Sequence, residues 1–252
     1  MITPEFLLSP LEFDVLWHDL RLGRVPYPLD VPSEGATEQE RRVLVTRTLD
    51  ELRTRGLVDN DRLEDFLRLL DDHKVSVDAV AGLDRTVRAL AVSNGERAAL
   101  AIIDGDRVGL LEIRETGIAR EIVKVLPDAV PGPGTAVNVR VQSLQDAVAI
   151  QEEAEEASEA DDLFGDGKLD EQEALQQAGL SAQDAKQFEE LASNRVAGGQ
   201  FGVTQDRQRS GVVINWFDTH QGRYLMVNSD GWMSLSPTDN DRIATRINAV
   251  LA

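Results

Sequence analysis

One stretch of the sequence has the residue types and the spacing of a cation-binding loop. Residues 162–173 follow the twelve-residue EF-hand pattern at positions one, five, six, eight, nine and twelve. The carboxylates in this pattern are Asp162, Asp166, Asp170 and Glu173. Because carboxylate oxygens are the ligands that calcium prefers in proteins, these four residues are candidate ligands of a weak calcium site.

Two features of the same region favour other interpretations. Phe164 occupies the third loop position, where an EF-hand supplies a ligand oxygen, and no second loop is present to pair with this one. The surrounding segment 151–173 holds eleven acidic residues and a single lysine. Since blocks of like charge repel one another and resist packing, the segment also fits a solvated acidic insertion or an acidic contact for a partner.

The remaining reactive side chains do not form a catalytic or metal-binding pattern. His18, His73 and His220 belong to separate predicted elements and have no histidine partner at helical spacing. The sequence Asp218-Thr219-His220 contains residue types of a catalytic triad, but it lies at a predicted hairpin turn and lacks a nucleophile motif. The chain has no cysteine and no phosphate-binding loop of the Walker type. We therefore predict a protein that is not an enzyme and that has no catalytic residues.

Composition and charge narrow the class of partner. The chain has 252 residues, of which 42% are hydrophobic, and its formal net charge is -19. Nucleic acids and anionic membranes attract basic surfaces, so we predict neither as a partner. The sequence contains no run of 18 apolar residues and no signal-peptide pattern, which predicts a cytoplasmic protein without membrane insertion.

Helix caps and turn residues outline a first half at residues 1–126. Capping boxes at Ser9–Glu12 and Thr37–Glu40 predict two helix starts. A change to alternating apolar residues then predicts antiparallel strands up to residue 113, with two-residue turns at Asn94-Gly95 and Asp104-Gly105. A closing helix follows from about residue 117.

Residues 127–134, with three prolines and two glycines, predict a linker, and residues 135–252 predict a second half of similar organisation. Capping patterns at Ser143 and Ser181 predict helices, and strands and Gly-containing turns follow. The acidic insertion at 151–173 interrupts this half.

The closing helices support an internal duplication. Ile118-Ala119, Ile122 and Val125-Leu126 correspond in spacing to Ile243-Ala244, Ile247 and Val250-Leu251. We predict an α+β protein that folds as a single integrated domain. It has a central antiparallel β-sheet, flanking helical bundles and a quasi-twofold internal duplication.

Many short elements, in the right order, resemble the EspG family of chaperones of type VII (ESX) secretion. In the N-terminal half they are Phe13 to Trp17, Leu22-Gly23, Pro26 to Leu29, Glu40-Arg41 and Leu52 to Leu57. In the C-terminal half they are Gly199 to Val203, Phe217 to Thr219, Gly222 to Tyr224, Gly231-Trp232 and the last helix. Residues 151–173 depart from the family pattern.

The resemblance implies a cytosolic chaperone that binds the tip of a helical secretion substrate, typically a PE/PPE heterodimer, and keeps it soluble. By analogy with the family, the docking surface uses the sheet and the C-terminal helices, with Leu175, Phe188, Leu191, Trp216 and Trp232 as candidate contacts. The competing interpretation is that these apolar residues belong to the core. An apolar sheet face could also join two copies in a homodimer, and a calcium-responsive regulatory module remains the alternative function.

Overall fold

The computed structural model describes residues 2–149, 171–177 and 179–252 of the chain. Helix α5 covers residues 141–149. The other α-helices in these ranges are α1 Pro10–Asp19, α2 Glu38–Thr54, α3 Asp61–Asp71, α4 Ile118–Val123, α6 Glu171–Gln177, α7 Ala182–Ser193 and α8 Asn240–Leu251.

The strands of the described ranges fall into an N-terminal and a C-terminal series. The N-terminal series is β1 Phe6–Leu8, β2 Val75–Gly82, β3 Thr86–Ser93, β4 Ala98–Asp104 and β5 Arg107–Ile113. The C-terminal series is β6 Val137–Arg140, β7 Arg195–Gln205, β8 Gln208–Arg209, β9 Val213–Thr219, β10 Gly222–Ser229 and β11 Trp232–Thr238.

The chain forms two compact units, whose limits differ from those of the predicted halves. The first unit comprises Met1–Asp128, Gly199–Val213 and Asn240–Ala252, and the second comprises Ala129–Gly198 and Ile214–Asp239. Helix α8 therefore packs with the first unit although it ends the chain.

In the first unit, both N-terminal capping boxes form as predicted. Ser9 Oγ accepts the Glu12 N–H at 3.2 Å, and the Glu12 carboxylate accepts the Ser9 N–H at 2.7 Å. Thr37 and Glu40 make the same reciprocal pair at the start of α2. These bonds satisfy N–H groups that the first helical turn leaves unpaired, which is why the helices begin there.

The first unit contains the predicted antiparallel meander, in which β2, β3, β4 and β5 pair in sequence and β1 pairs with β5. The turns differ from the prediction. Residues 94–97 form a four-residue loop, because Asn94 Oδ1 accepts the N–H groups of Glu96 and Arg97. The turn between β4 and β5 consists of Gly105-Asp106, one residue later than predicted, since Asp104 still pairs with Arg107 in the ladder.

Both faces of this meander are covered. Helices α1 and α3 bury apolar side chains such as Phe13, Phe66 and Leu70 against strands β3 to β5. Helix α4 contacts β2, β3 and β4, and it also contacts α8. Since β3 and β4 are therefore buried along most of their length, their apolar residues form nearly continuous runs and do not alternate with polar ones.

In the second unit, β10 pairs antiparallel with β9 and β11, and β11 pairs with β6. The turn between β10 and β11 is the two-residue Asp230-Gly231, whose φ angles of 52° and 77° are those of a type I′ hairpin. Helix α5 begins at residue 141, two residues before the predicted cap Ser143, because the helix follows β6 directly. Helices α6 and α7 contact each other.

The predicted α+β fold with antiparallel pairing and flanking helices is confirmed. The internal duplication stays a prediction. The contact between α4 and α8 is notable in this respect, because these are the two helices whose apolar spacing matches in the sequence.

Candidate functional site

A groove of about 630 Å³ lies within the second unit and is the candidate functional site. One wall is formed by α7 and the residue that follows it. That wall consists of Gln183, Lys186, Gln187, Glu190, Leu191 and Asn194. Ser181 caps this helix by accepting the Asp184 N–H at 3.1 Å, as the sequence predicts, so the start of the wall is fixed locally.

The other walls come from two segments that are distant in sequence. Pro133 and Gly134 belong to residues 129–134, which we call the strap. The turn between β9 and β10 contributes Thr219, His220 and Gln221, and Tyr224 on β10 lies behind it.

The strap is held against β10 by main-chain bonds. The Arg223 N–H donates to the Val130 carbonyl at 2.9 Å, and the Gly132 N–H donates to the Arg223 carbonyl at 3.1 Å. The Tyr224 hydroxyl donates to the Pro133 carbonyl at 2.9 Å. A Cβ added to Gly132 would lie 2.2 Å from the Tyr224 ring. Only glycine therefore fits where the strap crosses this ring, and the predicted linker is in part an ordered wall of the groove.

The turn at the rim is braced from below by a buried ion pair. Arg223 is fully buried, and its guanidinium donates to both carboxylate oxygens of Asp218 at 2.7 and 2.8 Å. The same guanidinium lies 4.8 Å from the centre of the Trp216 ring. Thr219 Oγ1 accepts the Gln221 N–H at 3.1 Å within the turn. Paired charges of this kind hold one geometry, because either group alone would be costly to bury.

The floor of the groove is apolar and aromatic. Tyr224 stacks on Phe217 with ring centres 5.4 Å apart and an interplanar angle of 17°. Leu191 and Leu235 are buried in the same cluster, and Phe188 packs against it. Burial raises the pKa of the Tyr224 phenol above its usual value of 10. The phenol is therefore neutral at physiological pH and serves as a hydrogen-bond donor to the strap.

The rim of the groove is rich in side-chain amides and carries balanced charge. Lys186 Nζ lies 3.7 Å from Glu190 Oε1, and both side chains are exposed. Asn194 donates to the Glu190 carbonyl at 2.6 Å, while Gln187 makes a long bond of 3.4 Å to the Thr135 carbonyl. The groove thus offers neutral donors and acceptors above an apolar floor.

The predicted contact residues occupy different environments in the second unit. Leu191 lines the groove, and Phe188 and Leu175 are partly buried. Trp216 is 1% exposed and lies under the groove. Trp232 is 46% exposed and carries the Arg140 guanidinium 5.1 Å from its ring centre. Among the five, Trp232 has the most accessible aromatic surface, and partner contact by these residues stays a prediction.

Most of the predicted calcium site lies outside the described residues. Asp162, Asp166 and Asp170 belong to that part of the chain, and Glu173 is an exposed residue of α6. Within residues 2–149, 171–177 and 179–252, no three His, Cys, Asp or Glu side chains form a group that could hold a metal ion. Calcium binding stays a prediction.

The sequence Asp218-Thr219-His220 does not form a triad. Asp218 pairs with Arg223, and the Thr219 hydroxyl bonds main-chain groups of its own turn. The other two histidines contact main-chain carbonyls close to them in the sequence. His18 Nδ1 lies 2.9 Å from the Asp14 carbonyl, and His73 Nδ1 lies 3.0 Å from the Leu70 carbonyl.

Sequence reasoning did not identify the amide rim or the role of Gly132. The motif Gly222-Arg223-Tyr224 was a signal for part of the site, because its arginine and tyrosine brace the turn and hold the strap. The amides of α7 have no comparable signal, since glutamine on a helix is common at any solvated surface.

A membrane-spanning helix needs about 20 apolar residues, and the helices in the described ranges do not meet this requirement.

Comparison with known proteins gives one family and a structural relative. The model of the EspG family matches residues 9–249. The solved structure of the type VII secretion chaperone EspG5 of Mycobacterium tuberculosis, in complex with a PE25-PPE41 dimer, is similar with a TM-score of 0.73. The two chains are 15% identical over 98% of this chain and 95% of the other, so the likeness shows the fold. No curated protein matches the chain.

Proposed function

The chain belongs to the EspG family, and from this premise we propose that it is a cytosolic chaperone of type VII secretion that binds a PE/PPE-type helical heterodimer. The observation that carries the proposal is the extent of the family match, which spans both compact units. The structural relative EspG5, with a similar fold over nearly its whole length, was solved with a PE25-PPE41 dimer. The chaperone would keep its substrate soluble by covering an apolar tip that otherwise self-associates.

The groove of the second unit suits this role because it is concave and pre-formed. The strap, the braced turn and α7 hold its walls through hydrogen bonds and a buried ion pair. Binding to a rigid surface loses less conformational entropy than binding to a mobile one. We place the tip of the substrate in this groove.

A second exposed aromatic surface lies at the end of β10 remote from the groove, where Trp232 pairs with Ser229, and we propose it as a separate contact. Trp232 combines an accessible ring with the stacked Arg140, and tryptophan and arginine are the residue types enriched among interface hot spots. Phe188 packs against the apolar floor, and Leu175 is a partly buried residue of α6. Trp216, by contrast, is buried and would not contact the substrate. It would position the turn at the rim through the Arg223 guanidinium, which lies over its ring.

We propose binding without catalysis. The two hydroxyl groups that line the groove are occupied in holding its shape: the Tyr224 phenol bonds the strap and the Thr219 hydroxyl bonds its own turn. A nucleophile would need a base within hydrogen-bond reach and a free lone pair directed at the substrate. The hydrogen bonds of this groove support a docking surface.

The experiment is affinity capture from the native cytosol, followed by reconstitution. The captured PE/PPE-type pair is expressed, purified and titrated with this protein by calorimetry, and a complex with one copy of each chain is the expected result. A panel of all PE/PPE pairs and other ESX substrates of the host that shows no binding would refute the proposal. Bovine serum albumin and an unrelated helical bundle protein serve as negative controls for nonspecific apolar association.

A further inference from the structure

We infer that β6 is a pairing edge through which two copies of the chain form a dimer, with Asn138 of one copy opposite the partner's Arg140. This inference goes beyond the proposed function and does not depend on it. It is carried by the main-chain groups that β6 turns outward, by the side chains at its edge and by the register that two such strands can adopt.

Two residues of β6 direct their main-chain groups away from the sheet. The Val141 N–H donates to the Gly231 carbonyl at 2.9 Å, so these opposite residues are a hydrogen-bonded pair. In an antiparallel ladder such pairs alternate with pairs that share no main-chain bond. Val139 therefore bonds to β11, whereas the N–H and C=O groups of Asn138 and Arg140 point to the open side of β6.

The open side of β6 has no strand beside it in the part of the chain that the structure describes. Among residues 2–149, 171–177 and 179–252, β6 pairs with β11 alone. In the same ranges no partner bonds the outward main-chain groups of Asn138 or Arg140, and both residues are exposed. A sheet edge with unpaired main-chain groups is a template for another strand.

The edge of β6 lacks the protection that the edge strand of the first unit has. There, Arg55 of α2 donates to the Leu7 carbonyl of β1 at 3.2 Å and so occupies an outward acceptor. The one charged residue of β6 is Arg140, and its guanidinium lies 5.1 Å from the ring centre of Trp232 on the neighbouring strand. The charge is therefore directed over the sheet and not past its edge. Since Asn138 is short and neutral, no charge at this edge repels a second strand.

The outward groups of β6 complement those of a second β6. When two such strands run antiparallel about a twofold axis at Val139, Asn138 lies opposite the partner's Arg140, and Arg140 lies opposite the partner's Asn138. Each of these two pairs exchanges two main-chain bonds, so the seam holds four. This register keeps the two arginines apart. A shift by two residues would set Arg140 against the partner's Arg140, and like charges directly opposite are destabilising.

A second copy suits this edge better than a flexible peptide does. Both β6 strands are already ordered in their own sheets, so pairing them loses little conformational entropy. A disordered peptide would have to be ordered for the same few bonds, because β6 has 4 residues and α5 follows it directly at residue 141. Four main-chain bonds of modest net strength predict a weak dimer, with a Kd on the order of 100 µM.

The first test is analytical ultracentrifugation of the full chain from about 5 to about 500 µM, which spans the expected Kd. The wild type should approach twice the mass of one chain as its concentration rises. Asn138→Pro removes the outward N–H but leaves the ladder with β11 intact, so its dimer should be at least about tenfold weaker. The matched control is Asn138→Ala, which keeps the N–H and should associate as the wild type does.

A second test measures the register and does not require the proline variant to fold. The chain has no cysteine, so Asn138→Cys and Arg140→Cys each introduce a single thiol. Opposite residues of a hydrogen-bonded antiparallel pair have Cα atoms about 5.5 Å apart, which a disulfide spans. Under mild oxidation, a mixture of the two variants should form a disulfide-linked dimer with one chain of each. Either variant alone should crosslink at least about tenfold more slowly, because its thiols are not opposite each other.

Three outcomes would each overturn the inference. They are a wild type that stays monomeric at about 500 µM, an Asn138→Pro variant that associates as the wild type does, and a single cysteine variant that crosslinks as fast as the mixture. The proposed function is tested separately. If the wild type forms the dimer but binds no PE/PPE-type pair, the proposed function fails and the inference stands.

Discussion

Arg223 and Asp218 form a two-pronged ion pair under the rim of the groove, with N···O distances of 2.7 and 2.8 Å. The arginine is fully buried, and it enters the core five residues after the carboxylate it binds. The pair spans the turn between β9 and β10, so it links the shape of the groove rim to the packing of the second unit.

Replacing Arg223 by methionine should leave the Asp218 carboxylate without its principal partner. Breaking a buried pair from one side costs about 3–5 kcal/mol, and we expect a loss of this size in the free energy of unfolding measured by urea denaturation. The control is Arg207→Met. Arg207 lies 3.6 Å from Asp72 and both side chains are exposed, so this variant should change the free energy of unfolding by less than about 0.5 kcal/mol. A loss below about 1 kcal/mol for Arg223→Met would contradict the structural role of the pair.

Replacing Gly132 by alanine should displace the strap. The new Cβ would overlap the Tyr224 ring, and forcing extra volume into a packed site costs about 1–3 kcal/mol. Because the strap is a wall of the groove, substrate affinity should fall as well. Gly211→Ala is the control, since that position has open space around it. Equal stability and affinity for the two variants would show that the strap is not held as described.

The buried phenol of Tyr224 should lose its proton at a higher pH than an ordinary tyrosine does. Burial raises its pKa above the ordinary value of 10, so the neutral form is favoured in the folded state. This contribution to stability is complete below pH 10 and is lost as the pH rises through the higher folded pKa. The chain has two tyrosines, and absorbance titration should show a late component that is absent in Tyr224→Phe. An unchanged titration tail in that variant would contradict the assignment.

The two tryptophans of the second unit should respond differently to truncation. Trp232→Ala removes an exposed ring, so we expect a change in unfolding free energy below about 1 kcal/mol but a loss of substrate affinity of about tenfold or more. Trp216→Ala opens a cavity under the groove and should cost about 3–5 kcal/mol. Chemical denaturation and calorimetry on both variants measure the difference. Wild-type affinity in Trp232→Ala would remove this residue from the proposed contact.

Calcium binding by residues 162–173 is the remaining sequence prediction. Titration of the full chain with calcium should show binding in the micromolar to millimolar range, and Asp166→Ala should abolish it. Asp146→Ala, an acidic residue outside the loop, is the matched control. An absence of binding heat in the wild type at millimolar calcium would rule the site out.

The sequence predicts a helix start or a turn well where one local hydrogen bond, or one local pattern of residue types, determines it. The capping boxes at Ser9 and Thr37 form as predicted, because both partners lie within four residues. The turn at Asp230-Gly231 forms because both residues tolerate positive φ. The cap predicted at Ser143 is wrong, since the pairing of β6 with β11 brings the chain directly into the helix at residue 141.

The candidate site was only partly predictable. The sequence singles out the stretch from Phe217 to Tyr224, and the structure explains it through the ring stack, the ion pair and the bond to the strap. It does not predict that Gly132 crosses Tyr224, about 90 residues away along the chain, because nothing local to either residue encodes that approach.

By itself the sequence determined the family, the α+β class, three of the helix caps and the order of helices and strands, since these depend on residues near one another in the chain or on the order of many short motifs. Only the tertiary structure decided which unit α8 joins, that the strap is a wall, and which glutamines share a groove. These depend on contacts between residues that are far apart in the sequence. The energies of such contacts come from packing and burial, which produce no repeating pattern of residue types along the chain.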